Sequence, residues 1–181
     1  MVLMAEPLFK AIDHAMDLVG GPDNVRVIYP SPQGKTWNQD IAEETSQQEK
    51  LIVICGHYKG IDERVIEKYV THEYSLGDFV MTGGEIPAMV MLDSTVRLIP
   101  GTLNNLDSAL TDSFSQDLLD HPHYTHPREI DGMEVPEVLL GGYHAKIEAW
   151  RQEQKEKRTQ EKKPDLWEKF EKMKESEINH A

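Results

Sequence analysis

The residues of this chain best placed to do chemistry lie in three glycine-bearing segments, each following an apolar, strand-like run. They are Tyr29-Pro30-Ser31-Pro32-Gln33-Gly34, Cys55-Gly56-His57-Tyr58-Lys59-Gly60 and Ser75-Leu76-Gly77-Asp78-Phe79-Val80-Met81-Thr82-Gly83-Gly84-Glu85. Glycine lets backbone approach a flat ligand closely and reaches φ > 0 without steric cost. Three such loops at neighbouring strand ends predict one shared ligand pocket. The sequence has neither a G-x-x-x-x-G-K-[ST] phosphate loop nor a G-x-G-x-x-G turn after a strand, which argues against ATPase and NAD chemistry. It also lacks a G-x-S-x-G nucleophile elbow, so Ser31 and Ser75 have no nucleophile context.

Other reactive side chains read more plainly. His121-Pro122-His123-Tyr124-Thr125-His126 clusters imidazoles, but no cysteine or well-spaced carboxylate motif completes a metal site. A structured loop or a substrate contact is the reading there, and no metal is assigned. Asp112 stands between Thr111 and Ser113, where a turn or helix-capping role is ordinary. Arg97 closes an apolar helical run, where a cation complements the helix dipole. Cys55 ends an apolar strand and reads as an inert core thiol.

The elements that must position these residues alternate. Helical spacing over Pro7 to Val19 stops at Gly20-Gly21, and Val25 to Tyr29 reads as a strand. Asn38 to Gln48 is a short polar helix, and Leu51 to Cys55 reads as a strand buried on both faces of a parallel sheet. Asp62 to Tyr69 is helical, His72 to Ser75 a strand, and Phe79 to Met81 a further extended piece. Glu85 to Ile99 is the strongest helix, with Ile86, Met89, Val90, Leu92, Val96 and Ile99 as its apolar residues and Pro100-Gly101 as its stop. This alternation predicts an α/β fold with helices on both faces of the sheet. Thr102 to Pro127 is polar, of a length that is normally functional or a linker. Val135 to Leu140, a helix from His144 towards Lys163 and a last helix from Pro164 follow.

Composition sets the outer bounds. The 181 residues suffice for one sizeable core with a smaller appendage, and 39% hydrophobic with 28% charged residues fits a soluble globular protein. The longest apolar run is too short to cross a bilayer, and the start of the sequence does not have the pattern of a signal peptide. One cysteine excludes an internal disulfide framework and fits a reducing cytoplasm. The net charge of −13 is unevenly placed: residues 1–150 hold 10 Lys+Arg against 24 Asp+Glu, whereas residues 151–181 hold 9 against 8. Such acidity argues against broad nonspecific nucleic-acid binding. It leaves room for a local basic face at Arg151 to Lys163, with 6 basic and 3 acidic residues.

Taken together and in order, these segments resemble the bacterial tRNA (guanine-N1)-methyltransferase family of the SPOUT, or trefoil-knot, class. The stretches that carry the resemblance include Ser31-Pro32-Gln33-Gly34, Gly60-Ile61-Asp62-Glu63-Arg64-Val65, Gly83-Gly84-Glu85-Ile86-Pro87-Ala88 and Arg97-Leu98-Ile99-Pro100-Gly101. Further along are Asp112-Ser113-Phe114, Pro122-His123-Tyr124-Thr125, Val135-Pro136-Glu137-Val138-Leu139-Leu140, His144-Ala145-Lys146-Ile147 and Pro164-Asp165-Leu166. The resemblance implies a parallel sheet with flanking helices tied in a deep trefoil knot, plus a small, mostly helical C-terminal domain. It implies that the three loops bind S-adenosylmethionine, that the protein is a homodimer with a shared active site, and that tRNA is the substrate, methylated on the guanine immediately 3′ of the anticodon. Cofactor contacts carry over to Tyr29, Ser31, Pro32, Gln33, Gly34, Gly56, Tyr58, Gly60, Ser75, Leu76, Gly77, Phe79, Met81, Gly83, Gly84 and Pro87, and catalytic roles to Asp112 and Arg97. RNA contacts are expected at His123, Tyr124, Thr125, His144, Arg151, Lys155 and Arg158.

The expected domains are a knotted cofactor-binding domain at 1–103, a connector carrying Asp112 at 104–127 and a helical tRNA-binding domain at 128–181. Lys59 and His57 stand where many members have Glu and Arg, and a lysine does not ligate Mg²⁺ as a glutamate does, which counts against a metal near the cofactor. The chain also starts where the family already has a preceding segment. Two alternatives therefore stand beside the main reading: a catalytically silent module binding cofactor or RNA, and a SPOUT enzyme acting on another RNA.

Overall fold

Val25–Thr36 forms the strand around which the first part of the molecule is built. The structure, a computed structural model, describes residues 1–102, 112–114 and 117–178, and divides into the units Met1–Leu106 and Asp107–Ala181. In the first unit, β1 (Val25–Thr36) is the centre of a parallel sheet of order β2-β1-β3, with β2 at Lys50–Val53 and β3 at His72–Ser75. The pleat sends Val27 and Tyr29 to one face and Ile28 to the other. Val27 and Tyr29 pack with Ile12 of α1 (Ala5–Leu18) and Val65 of α3 (Glu63–Tyr69). Ile28 packs with Ile41 of α2 (Gln39–Ser46) and Met91 of α4 (Glu85–Val96). Two cores on opposite faces of one sheet give the expected α/β class.

Local chemistry fixes the element ends. Helix α1 stops because Gly20 and Gly21 take φ 84° and 99°. Their N–H groups return to Asp17 O at 3.1 Å and Met16 O at 2.9 Å, satisfying two carbonyls of the last turn. Asn38 caps α2 by accepting from Ile41 N at 3.0 Å, and Asp62 caps α3 by accepting from Arg64 N at 3.1 Å. Arg26, buried on β1, donates to Thr45 Oγ1 at 2.9 Å and to the Glu44 carboxylate, so α2 is tied to the central strand by a charge-assisted contact.

Several sequence expectations are corrected. The first glycine segment does not follow the strand but interrupts it, because Pro30 and Lys35 both pair with Tyr74 and residues 31–34 loop out between them. Proline lacks a ladder donor, so Pro30 and Pro32 favour such an excursion. Strand β2 is a half-buried edge strand, covered on both faces but not flanked on both sides, and Cys55 lies two residues beyond it, half-buried. Phe79 to Met81 forms no strand. Helix α4 ends at Val96 and buries Ala88, Met91 and Thr95, leaving the predicted apolar residues Ile86, Met89, Val90, Leu92, Val96 and Ile99 exposed. Apolar residues lie all round this helix, so its composition does not select the inward face.

In the second unit, β4 (Glu129–Ile130) and β5 (Met133–Glu134) form a hairpin whose turn residues Asp131 and Gly132 both have positive φ. Helices α5 (Glu137–Leu140), α6 (His144–Lys162) and α7 (Pro164–Ile178) follow. Buried Thr159 accepts from Leu119 N at 2.8 Å and donates to Lys155 O at 2.7 Å, fixing the 118–120 segment to α6. The expected boundary at 103/104 and connector residues 104–111, 115 and 116 lie outside the described residues.

Two outcomes test this packing. Met91→Ala is expected to cost roughly 2–5 kcal/mol in urea unfolding, whereas Leu18→Ala, at an exposed site, stays within about 0.5 kcal/mol. The side chain and backbone N–H of Arg64 hold the Asp62 carboxyl down at about 2 in the folded state. Its contribution to stability is therefore complete above the unfolded value near ~3.9 and is lost as pH falls towards the folded one. Asp62→Asn should flatten the dependence of unfolding free energy on pH across that acid window.

Candidate functional site

The site grows from three backbone segments that meet at the ends of the first unit's strands. Residues 31–34 leave β1, residues 55–60 follow β2, and residues 76–87 follow β3 and enter α4. Their joint is backbone against backbone. Gly84 N donates to Gly56 O at 2.8 Å, and a Cβ on Gly84 would stand 2.8 Å from Gly56 N and 2.9 Å from Cys55 Cα. Gly34 sits as tightly against β3, where a Cβ would fall 2.4 Å from Glu73 C. Across the second and third segments, His57 bridges Gly83 through the backbone, and His57 Nε2 lies 2.6 Å from Glu85 Oε1.

Between the segments lies a cleft of about 650 Å³. Tyr29, Ser31, Pro32 and Gln33 line it from the first segment, Gly56, Tyr58 and Gly60 from the second, and Ser75, Leu76, Phe79, Met81, Gly83, Gly84 and Pro87 from the third. Fourteen of the sixteen expected contact residues are thereby brought together, while Gly34 and Gly77 are outside the lining. Gly34 acts by permitting the close approach to β3, and Gly77 by holding φ 148° in a turn closed by Ser75 Oγ.

Several lining residues are not among the expected contacts: the carboxylates of Glu63 and Glu73, and the apolar Ile61 and Ile66. Glu73 belongs to a predicted strand, and only the cross-strand register with Tyr29 reveals that it reaches the cleft. Burial raises the pKa of the Tyr29 phenol, a backbone contact with Ile61 lowers it, and the charges of Glu73 and Glu63 add to the rise. The phenol therefore stays neutral in ordinary buffers. Burial, with the charge of Glu85, likewise raises the Cys55 thiol, as befits an unreactive sulfur. An apolar floor with two carboxylates and loop backbone suits a flat, cationic ligand better than a phosphate-rich one.

A second cavity of about 330 Å³ lies within the second unit. Of the expected RNA contacts, His123, Tyr124, Thr125 and Arg151 line it, and His144, Lys155 and Arg158 do not. Lys155 and Arg158 turn instead to Asp120, at 3.8 Å from its carboxylate and 3.3 Å from its carbonyl oxygen. Asp112 is half-buried in a turn of the second unit, and Arg97 caps the end of α4 in the first. Neither lines either of these cavities.

Residues 1–169 match the family described as tRNA (Guanine-1)-methyltransferase TrmD. The chain belongs to that family. Among its relatives, the tRNA (guanine-N(1)-)-methyltransferase of Listeria monocytogenes is 52% identical over 166 residues, covering 92% of this chain and 67% of the relative. That of Brevibacillus brevis is 53% identical over 170 residues, with 94% and 68% covered. That of Fervidobacterium nodosum is 53% identical over 167 residues, with 92% and 66% covered. The chain thus spans about two thirds of the length of these tRNA (guanine-N(1)-)-methyltransferases.

Family membership makes the Gly84 joint testable. Gly84→Ala should force the second and third segments apart at a cost of roughly 1–3 kcal/mol. Urea unfolding is then expected to show that loss, with the transition still cooperative.

Proposed function

We propose that this protein transfers a methyl group from S-adenosylmethionine to N1 of the guanine immediately 3′ of the anticodon in tRNA. The observation that carries the proposal is the match over residues 1–169 to a family whose relatives are named for that reaction class. The cleft supports it independently. Its glycine backbone would admit a flat base, its apolar wall of Leu76 and Pro87 would cover that base, and Glu63 and Glu73 suit a positively charged ligand. When bound, S-adenosylmethionine supplies an electrophilic methyl carbon on a sulfonium.

The chain's own residues supply the rest. Guanine N1 carries a proton at neutral pH and is a poor nucleophile until that proton leaves. Asp112 accepts it as general base, a contribution typically worth ~10²–10⁴-fold. Arg97 offsets the negative charge that grows on O6 as N1 is deprotonated. His123, Tyr124, Thr125 and Arg151, with His144, Lys155 and Arg158, contact the RNA, where splayed bases and backbone are recognised by a modest polar and basic face. Lys59 places an ammonium on the cleft wall, so no Mg²⁺ is assigned there.

The finer architecture belongs to the same proposal. A trefoil knot formed by the looped segments would occupy 1–103, with a connector at 104–127 and a tRNA-binding domain at 128–181. A homodimer would cover the exposed Met89, Val90 and Val96 of α4, an apolar row that is costly to leave in water. Cytoplasmic tRNA is the substrate pool. Among the described residues no helix is long and apolar enough to cross a membrane.

The test pairs calorimetry on S-adenosylmethionine with methyl transfer to a tRNA transcript. The expected result is binding, product on a transcript with guanine 3′ of the anticodon, and none when adenine replaces it. Asp112→Ala should bind both partners and turn over about 10²–10⁴-fold more slowly. Binding without product would favour a silent module; product on the adenine transcript would overturn the site assignment.

A further inference from the structure

Asp120, His121 and His123 form a cluster of which the methyl-transfer reading uses only His123, as an RNA contact. One ligand atom from each lies within 4.8 Å of the others. Asp120 Oδ2 is 2.7 Å from His123 Nε2, Asp120 Oδ1 is 3.8 Å from His121 Nε2, and the two imidazole centroids are 4.4 Å apart. Asp120 is the carboxylate that sequence reasoning passes over, because it directly precedes the histidines instead of standing at a ligand spacing known from sequence.

The tautomer of His121 decides what the cluster can do. Its Nδ1 lies 3.0 Å from the Pro122 carbonyl oxygen, which can only accept, so Nδ1 carries the proton. In the neutral ring Nε2 then holds a lone pair, and it faces Asp120 Oδ1, another acceptor, across 3.8 Å. A cation between that nitrogen and Oδ1 would satisfy both acceptors, on a His121 side chain only 14% exposed. A histidine whose far nitrogen donates to a backbone carbonyl is also the usual arrangement of a metal-binding imidazole.

The spacing and the scaffold agree with this. Ligands about 2.0–2.1 Å from a tetrahedral zinc stand roughly 3.3 Å from one another, and the two oxygens of the Asp120 carboxylate bracket that spacing, Oδ2 at 2.7 Å from His123 Nε2 and Oδ1 at 3.8 Å from His121 Nε2. The backbone is held from both sides: Asp120 N donates to Ser113 Oγ at 3.0 Å, and Leu119 N to buried Thr159 at 2.8 Å. Burial pushes the Asp120 carboxyl up, but hydrogen bonds from His123 and the His121 backbone outweigh it and leave the group below its ordinary value. The 330 Å³ cavity that His121 and His123 line leaves room for a fourth ligand. Two charges oppose a cation, Lys155 Nζ at 3.8 Å from Asp120 Oδ1 and the Arg158 guanidinium on the Asp120 carbonyl.

We propose that Asp120, His121 and His123 bind a first-row divalent cation of the zinc class, with a fourth position open to the adjoining cavity. Two imidazole nitrogens and one carboxylate oxygen select such an ion over Mg²⁺ or Ca²⁺, which take oxygen ligands. Lys155 competes with the ion for Asp120 and weakens the site.

The experiment is calorimetric titration of the full chain with zinc chloride in a non-chelating buffer, with Co²⁺ absorption as a second reading. One equivalent is expected, with a tetrahedral Co²⁺ band. His121→Asn and His123→Asn should each weaken binding ~10-fold or more, and Lys155→Met should tighten it, a gain that unfolding cannot imitate. The proposal is overturned if the wild type takes up no zinc, if binding persists undiminished in both histidine variants, or if Lys155→Met leaves the affinity unchanged or lower.

Discussion

The contact of Gly84 with Gly56 is the constraint on which the first unit's site depends. The hydrogen bond between them, 2.8 Å long, joins the segment after β2 to the segment after β3, although the two strands lie on opposite edges of the sheet. Any side chain at Gly84 would separate them, and the cleft would lose the wall that they share. The sheet supplies the other half of the constraint. Because β1 is paired on both sides, the segments that leave its neighbours flank the one that leaves β1 itself.

Charge is distributed with the same economy. Most of the chain's acidity is solvated surface, yet two carboxylates, Glu63 and Glu73, face the cleft and raise the Tyr29 phenol. In the second unit the cations Lys155 and Arg158 converge on Asp120 instead of standing free on the helix face. A basic stretch that reads in sequence as a solvated face is thus partly a set of internal braces, and local geometry outweighs the sum of formal charges.

The glycine segments and the alternation of strand and helix were legible because each follows from local rules: glycine stops, capping side chains and apolar period. Long-range pairing was not. Nothing local reveals that Pro30 and Lys35 share Tyr74, so the first segment reads as a loop after a strand instead of an excursion within one. The inward face of α4 escaped for a different reason, since apolar residues surround the helix and only the position of Ile41 and Tyr74 across from it selects Met91. Asp120 escaped because its partners His121 and His123 are immediate neighbours in sequence, where ligand spacings give no signal.

The shared pairing of Pro30 and Lys35 with Tyr74 has a consequence for how such a protein can diverge. The ladder resumes opposite the same residue at which it paused, so the intervening four-residue stretch, 31–34, contributes nothing to strand alignment. Exchange or extension at 31–33, with Gly34 kept because its approach to β3 admits no side chain, would reshape the rim of the cleft while every hydrophobic position downstream kept its side of the sheet. Ligand preference and foldability are thereby uncoupled at this point, and variation can act on the first without endangering the second.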